Sequence, residues 1–160
     1  MKGIAVAIGN VFHAIFYAPL ELVGYAHPIH PIFVHFTIGS VIAAFVIDYV
    51  GWIFRKPVLL TTARHNLVFA FPAFVLTGCV GLADWSAQYQ VASLNPSSNP
   101  VMFAFGIKFV LSLTLLVIFV ATYFLFRKTK ETHPARHAAY LLLAANVIAL
   151  GFYGGNIVYG

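Results

Sequence analysis

Long apolar runs separated by short polar stretches dominate this sequence. Four runs are long enough to cross the roughly 30 Å hydrocarbon layer of a bilayer, which takes about 20 residues. They cover residues 31–54, 64–84, 100–126 and 135–153. Because lipid offers no hydrogen-bond partner to a free backbone N–H or C=O group, each run is expected to be a helix. The pattern predicts an all-α integral membrane protein, an up-down bundle of four spanning helices.

A fifth apolar segment, residues 3–24, has a different pattern. Its polar residues recur every three or four positions and form one narrow stripe on a helix: Asn10, His13, Tyr17 and Glu21. Such a helix suits an interfacial position with its apolar face toward the lipid. The alternative is a fifth span with Lys2 on the cytoplasmic side. We favour the interfacial helix, and divide the chain into this N-terminal segment, residues 1–26, and a four-helix membrane domain, residues 27–160.

The composition supports a membrane protein and excludes several other classes. The chain is 61% hydrophobic and 8% charged, with a mean hydropathy of +0.91, whereas soluble domains average about 25% charged residues. The single cysteine, Cys79, rules out a disulfide framework or a cysteine-based metal site within one chain. The net charge of +5 lies in loops and forms no basic face with interleaved aromatics. Nucleic acid is therefore not an expected partner.

The basic residues predict the orientation of the bundle. Seven of the nine Lys and Arg residues fall in two connections, residues 55–64 and 127–136. The connection between them, residues 84–100, carries none. The positive-inside rule places the two basic connections in the cytoplasm. We therefore expect a multi-pass protein of a bacterial inner membrane, with its C-terminus and the start of the first span facing the periplasm.

Two parts of the sequence resemble each other. The segment "HPIFVHFTIG" at residues 30–39 matches "NPVMFAFGIK" at residues 99–108, and the tripeptide "ARH" at residues 63–65 recurs at residues 135–137. The similarity indicates two tandem helical hairpins related by an axis along the membrane normal. Equivalent helices would then be diagonal partners in the bundle. Chance similarity among hydrophobic helices is the alternative.

Polar and ionisable residues gather at the predicted periplasmic end. They come from all four spans or their ends: the histidines within residues 27–35, Asp84, Lys108 and Asn156. Ionisable residues inside a membrane are candidates for function. We expect Lys108 to pair with Asp84, because both lie near the boundary and Lys108 would otherwise extend alone toward water.

Asp48 lies near the cytoplasmic end of the first span. Arg55 follows seven residues later (55 − 48 = 7), on the same helical face, and Arg64 opens the second span. We expect a structural salt bridge from Asp48 to one of these arginines. A proton-relay role is the alternative, although a single acid does not make a relay.

The start of the first span combines two prolines with three histidines: Pro28, Pro31, His27, His30 and His35. One interpretation is axial ligation of haem b by His35, with His30, His13, Met102 or a group on another subunit as the second ligand. Another is a copper or zinc site formed by His27, His30 and His35. The third, which we favour, is structural. The prolines suit an extended lead-in and a first helical turn, and His35 bonds to a backbone carbonyl or to Asn156.

His65 and His137 form a second candidate haem pair. They open the second and fourth spans at equal depth, on helices expected to be diagonal, and this symmetry suits a haem between them. Each directly follows an arginine, which favours a position among the lipid headgroups that is too shallow for a macrocycle.

Three motifs, "HPIHPIFVHFTIG", "GLADW" and "GGNIVYG", together resemble a bacterial membrane family known as domain of unknown function 2231. The matching positions are His30, Pro31, Val34, His35, Phe36, Asp48, Gly81, Asp84, Trp85, Gly154, Gly155, Val158 and Tyr159. The resemblance covers residues 27–160 and implies four spans. It also implies an electron-transfer neighbourhood, because some relatives resemble fusions to Rieske-type iron–sulfur domains, and histidines that could ligate b haem. Thr37 replaces the family's usual proline, and Ala104 stands near where relatives tend to carry a histidine.

These observations favour a non-catalytic membrane subunit of a respiratory or photosynthetic type of electron-transfer complex. Haem b is the candidate cofactor, and lipid and other membrane subunits are the expected partners. One alternative is a cofactor-free scaffold or assembly protein. Another is a small transporter that uses Asp48, Lys108 and Asp84. No nucleophile–base arrangement, phosphate loop or carboxylate pair indicates an enzyme, so a catalytic role is the less expected one.

Overall fold

The computed structural model describes residues 2–25, 29–94, 99–130 and 132–159, and within these ranges the chain is helical, with no strand. Its helices, in chain order, are α1 (Lys2–Phe16), α2 (Ala18–Leu22), α3 (His30–Ile53), α4 (Pro57–Leu94), α5 (Asn99–Lys128) and α6 (Pro134–Tyr159). Four of them, α3 to α6, contain segments long and apolar enough to cross a membrane. The predicted all-α membrane fold with four spans is confirmed.

The four long helices form a closed antiparallel ring. Helix α3 packs against α4 and α6, and α5 packs against α6 and, less extensively, α4. Among the described residues, neither α3 and α5 nor α4 and α6 approach each other closely. Contacts such as that of Asn66 with the carbonyl of Ser40, 2.9 Å, show that neighbours run in opposite directions. Alternate helices are thus diagonal, as two tandem hairpins in an up-down bundle require.

The interior of the bundle is apolar and contains side chains from all four long helices. The main buried cluster consists of Val41, Ala44, Ala63, Leu67, Ala70, Phe74, Leu115, Phe119, Phe126, Tyr140, Leu143 and Val147. Large apolar residues also cover the outside, for example Phe69 and Val117, which are 71% and 66% exposed. An apolar exterior around an apolar core is what a bilayer requires of a protein.

The second span begins earlier than the sequence pattern predicted, at Pro57 rather than at Arg64. Helix α3 ends in a tight turn in which Arg55 has φ +53°. The Lys56 N–H donates to the Gly51 carbonyl, 2.8 Å, and the Arg55 N–H donates to the Trp52 carbonyl, 3.3 Å. This is a Schellman motif, which satisfies the last carbonyls of a helix. Proline suits the first turn of the next helix, so most of the supposed basic loop is helical.

Helix α1 docks on the bundle through α4, and α2 packs against α1. A Cβ atom on Gly9 would lie 2.5 Å from Ser86 Cβ and 2.6 Å from the Leu82 carbonyl oxygen. Only glycine permits this close approach of α1 to α4. A separate buried cluster of Tyr17, Ile29, Val80 and Ala83 joins the segments. At 15 residues, α1 is about 22 Å long, shorter than the hydrocarbon layer. Its interfacial position stays a prediction.

Candidate functional site

Among the described residues, ionisable side chains form a cluster near each end of the bundle. The Asp84 cluster contains Tyr17, His30, Asp84 and Lys108, and the Asp48 cluster contains Asp48, Trp52, Arg136 and His137. Helix α3 contributes to both, through His30 and Asp48, which are 18 residues apart (48 − 30 = 18). At 1.5 Å per residue, that separation is about 27 Å. The clusters therefore lie near the two ends of the candidate spans.

Asp84 is bound by Tyr17, and not by Lys108 as the sequence suggested. The Tyr17 hydroxyl donates to Asp84 Oδ1 at 2.5 Å and accepts a hydrogen bond from the Ile29 N–H at 3.3 Å. The His13 ring stacks on Tyr17, with centroids 4.9 Å apart. Burial raises the pKa of Tyr17 above its ordinary value, and the neighbouring Asp84 carboxyl raises it further. Tyr17 thus stays a protonated donor that links α1 and α2 to α4.

Lys108 approaches the same cluster from α5. No ion pair within 4 Å joins it to Asp84 among the described residues, but the lysine is close enough to act electrostatically on the Asp84 carboxyl. A Cβ atom on Gly154 would lie 3.6 Å from Lys108 Nζ, so α6 leaves space for the lysine side chain. The predicted meeting of Asp84 and Lys108 at one end of the bundle is therefore found, without the predicted direct bond.

His30 is packed tightly against α4. It is the first residue of α3 and follows the helix cap at Ile29, so the expected placement of Pro31 in the first helical turn is found. A Cβ atom on Gly81 would lie 2.8 Å from His30 Cε1. The glycine of the "GLADW" motif thus makes room for the histidine of the "HP" motif, while the aspartate of the same motif binds Tyr17. His30 Nδ1 is buried and has no hydrogen-bond partner.

The other histidines proposed for this end do not converge on His30. His35 is exposed, and its Nδ1 bonds the carbonyl of Pro31, 2.6 Å away, as the structural interpretation expected. Five residues on a helix turn the side-chain direction by about 140°, so His30 and His35 face different sides of α3. His27 and the side chain of Asn156 lie outside the described residues. Within the described part of the chain, no three metal-binding side chains cluster.

Asp48 pairs with His137 rather than with an arginine, so the predicted salt bridge to Arg55 or Arg64 is wrong. Asp48 Oδ2 lies 2.6 Å from His137 Nδ1, and both side chains are buried. Arg55 does not share a helix face with Asp48, because α3 ends at Ile53 and Arg55 forms the turn that follows. The ring is also enclosed by the protein rather than exposed at the bundle surface, with His137 only 2% exposed.

Two aromatic residues of α3 enclose the His137 ring. Trp52 stacks on it, with centroids 4.6 Å apart and planes 21° from parallel. Tyr49 meets its edge, with centroids 6.3 Å apart. The second ring nitrogen, Nε2, is buried and has no hydrogen-bond partner. His137 therefore has one nitrogen fixed by a carboxylate and one nitrogen unused.

Arg136 closes the turn between α5 and α6. Its guanidinium donates to the carbonyls of Phe126 and Thr129 and, through Nε, to the Thr129 hydroxyl at 2.9 Å. It also lies over the Phe126 ring, 4.6 Å from the centroid. These carbonyls belong to the end of α5, where a helix has no backbone partners for its last C=O groups and favours a cation. Arg136 is 5% exposed and acts as the cap of α5.

His65 and His137 do not face each other as a haem pair would. His65 is exposed on α4, whereas His137 is buried on α6. The two helices are diagonal, as predicted, but the rings do not share an environment. The reason is that α4 begins at Pro57, so His65 lies more than two turns inside its helix and points outward.

Sequence reasoning missed Tyr17 and Trp52 as functional neighbours. Tyr17 belonged to the polar stripe of the N-terminal segment, and that stripe was the available signal. The pattern gave no sign that the stripe faces Asp84, which is 67 residues away. Trp52 carried no signal of its own, because an aromatic residue near a span end is common at membrane interfaces.

The family model described as "Predicted membrane protein (DUF2231)" matches residues 26–160. The match covers most of the chain, and the chain belongs to this family. No curated protein and no solved structure matches it. The match begins after Tyr17, so the tyrosine that binds Asp84 comes from outside the region that the family model covers.

Proposed function

We propose that this multi-pass membrane protein is a non-catalytic structural subunit of a larger membrane assembly. One observation carries the proposal. Among the described residues, three buried ionisable side chains are engaged by another segment of the same chain: Tyr17 by Asp84, Asp48 by His137, and Arg136 by the end of α5. Groups used in this way fix the positions of helices and are not left open to a substrate.

The exterior of the bundle supports the same proposal. Exposed large apolar residues occur along every long helix, for example Phe36, Phe69, Phe124 and Phe152. Faces of this kind suit lipid and the helices of partner subunits equally. The assembly we expect is an electron-transfer complex of a bacterial inner membrane, with the Asp84 cluster and the C-terminus on the periplasmic side. This part rests on the family resemblance and on the distribution of basic residues.

The transporter alternative has less support. On α3, the interior positions between the two clusters include Val41 and Ala44, both fully buried and apolar. Along this helix they interrupt the series of polar residues that a path for ions would need.

The proposal predicts what happens when the subunit is removed. If the role is structural, removing the subunit lowers the amount of assembled complex, while the turnover of each remaining complex stays unchanged. The amount can be measured on native gels and by quantitative mass spectrometry of purified membranes. Re-expression of the Lys108→Met variant, which keeps the length of the side chain, should restore the amount of complex. Normal assembly with lost turnover per complex would contradict the proposal.

A haem-binding subunit is the second candidate, and His137 is the residue that favours it. A ligating histidine usually holds its second nitrogen on a carboxylate, which is the arrangement of Asp48, Nδ1 and the unused Nε2. His65 and His137 do not fit bis-histidine ligation, because His65 is exposed and α4 does not approach α6. The arrangement at His137 therefore supports ligation by this histidine alone.

An optical spectrum separates the two candidates. A dithionite-reduced-minus-oxidised spectrum of the purified protein would show an α band if b haem is present. The Asp48→Asn variant should keep the fold and weaken that band, because it alters the partner of Nδ1. A spectrum without Soret or α bands, with no iron in the sample, removes the haem candidate and leaves the structural one.

A further inference from the structure

An apolar groove runs between α4 and α5 at the Asp48 end of the bundle. Its cavity volume is about 380 Å³. Leu67 and Phe71 of α4 and Phe119 and Val120 of α5 line it, and Arg64 and Arg127 lie at one end. We call this feature the α4–α5 groove.

Aromatic residues join α4 and α5 beside the groove. Phe119 contacts Phe71 edge-on and stacks on Phe74, with ring centroids 5.6 Å apart in both cases. Among the described residues, α4 and α5 pack less extensively than the other adjacent spans. The groove is the space left between them.

Two positive charges lie at the mouth of the groove. Arg64 is in the second turn of α4, and Arg127 is one residue before the end of α5, so both mark the same end of the spans. Both are exposed, and neither forms an ion pair with a described acidic residue. Arg127 Nη1 donates to the Tyr123 hydroxyl at 3.4 Å, and its guanidinium lies 5.7 Å from the centre of that ring. The tyrosine holds the cation over the groove.

We propose that the α4–α5 groove binds one anionic phospholipid, with an acyl chain along Leu67, Phe71 and Val120 and the phosphate between Arg64 and Arg127. The argument is charge complementarity. An acyl chain gains little by leaving bulk lipid for an apolar groove, since both surroundings are apolar. Selection must therefore come from the headgroup, and guanidinium groups bind phosphate oxygens through paired, charge-assisted hydrogen bonds. Basic residues at this end face the leaflet that the positive-inside rule assigns to the cytoplasm.

The test compares lipids and variants by native mass spectrometry of the full chain released from nanodiscs. Phosphatidylglycerol is the anionic probe and phosphatidylcholine the neutral one. We expect selective retention of one phosphatidylglycerol, reduced roughly fivefold by each of Arg64→Gln and Arg127→Gln and about 25-fold by the pair. Lys128→Gln is the matched control, because it removes a neighbouring charge that does not line the groove, and it should leave retention within about twofold.

A second variant tests the acyl chain. Val120→Trp fills the groove, while Val120 is 43% exposed, so the bundle should tolerate the larger side chain. We expect it to abolish selective retention with both arginines intact. Unchanged retention in this variant would mean that the lipid binds the surface charges without occupying the groove. That result would overturn the proposal. Equal retention of the two lipids by the unmodified chain would also overturn the proposal. So would cross-linking of a partner helix to Val120→Cys with a yield that phosphatidylglycerol does not lower.

Discussion

The two hairpins of the bundle, α3–α4 and α5–α6, close their turns by different means. In the first, the end of α3 is satisfied by backbone N–H groups of Arg55 and Lys56 in a Schellman motif. In the second, the end of α5 is satisfied by the buried guanidinium of Arg136. A backbone cap uses no side-chain hydrogen bond, whereas a side-chain cap depends on one residue. The second turn should therefore be the more sensitive to mutation.

The tripeptide "ARH" occurs once in each hairpin, in different surroundings. In the first copy Ala63 is fully buried, and Arg64 and His65 are exposed. In the second copy Arg136 and His137 are the buried residues. Arg64 lies seven residues into its helix (64 − 57 = 7), and Arg136 lies two residues into its helix (136 − 134 = 2). Because the two helices start at different distances from the tripeptide, its residues lie on different helix faces. The arginine and histidine are therefore exposed in the first hairpin and buried in the second.

The largest expected effect is at His137. His137→Ala leaves the buried Asp48 carboxylate without its partner, and an uncompensated buried charge costs about 3–5 kcal/mol. His65→Ala is the matched control in the other hairpin and should change stability by less than about 0.5 kcal/mol, since its side chain is exposed. The free energy of unfolding can be measured by titration with a denaturing detergent in mixed micelles.

The double variant Asp48→Ala with His137→Ala sharpens this test. Removing both partners takes away the unpaired charge, so the pair should cost clearly less than the sum of its single changes. Similar costs for His137→Ala and His65→Ala would mean that the two copies of the tripeptide are energetically equivalent, and the contrast between the hairpins would fail.

The next largest effect is at Arg136. Arg136→Gln removes the hydrogen bonds to the carbonyls of Phe126 and Thr129, and bonds that involve a charged donor contribute about 1.5–3 kcal/mol each. We expect a net loss of about 2–3 kcal/mol in the free energy of unfolding and faster amide exchange at the end of α5. Arg64→Gln, its counterpart in the first hairpin, should have no measurable effect on either. Equal amide-exchange protection of the α5 end in Arg136→Gln and Arg64→Gln would contradict the proposed cap.

The sequence predicted the spans better than it predicted the contacts between them. The bounds of α3 and α5 follow from hydropathy, because a bilayer imposes length and apolarity on every span. The start of α4 was missed because Arg55, Lys56 and Arg64 resembled one basic loop, and only the turn geometry at Arg55 separates them. Basic residues indicate a loop only where the residues between them do not favour a helix. Residues 57–63 include two leucines and an alanine, which do favour one.

Partners across the bundle depend on register, which hydropathy does not encode. Asp48 was assigned to arginines close in sequence, but its partner His137 is 89 residues away. Asp84 was assigned to Lys108, which does approach it, but the hydrogen bond is made by Tyr17 of the N-terminal segment. In both cases the sequence identified an acid that has a partner, but not the partner. What it lacked was the rotation of each helix about its own axis, which long-range packing decides.

The smallest expected effect is at Arg55, and it has the opposite sign. A non-glycine residue in the left-handed region costs roughly 1 kcal/mol, and the C′ position of a Schellman motif is where glycine is preferred. Arg55→Gly keeps both backbone hydrogen bonds of the turn and removes the steric cost, so the free energy of unfolding should rise by about 0.5–1 kcal/mol. Arg55→Ala, which removes the same charge but keeps a Cβ atom, is the control that isolates the backbone term. If both variants change stability equally, the charge rather than φ governs this turn, and the first hairpin would depend on a side chain as the second does.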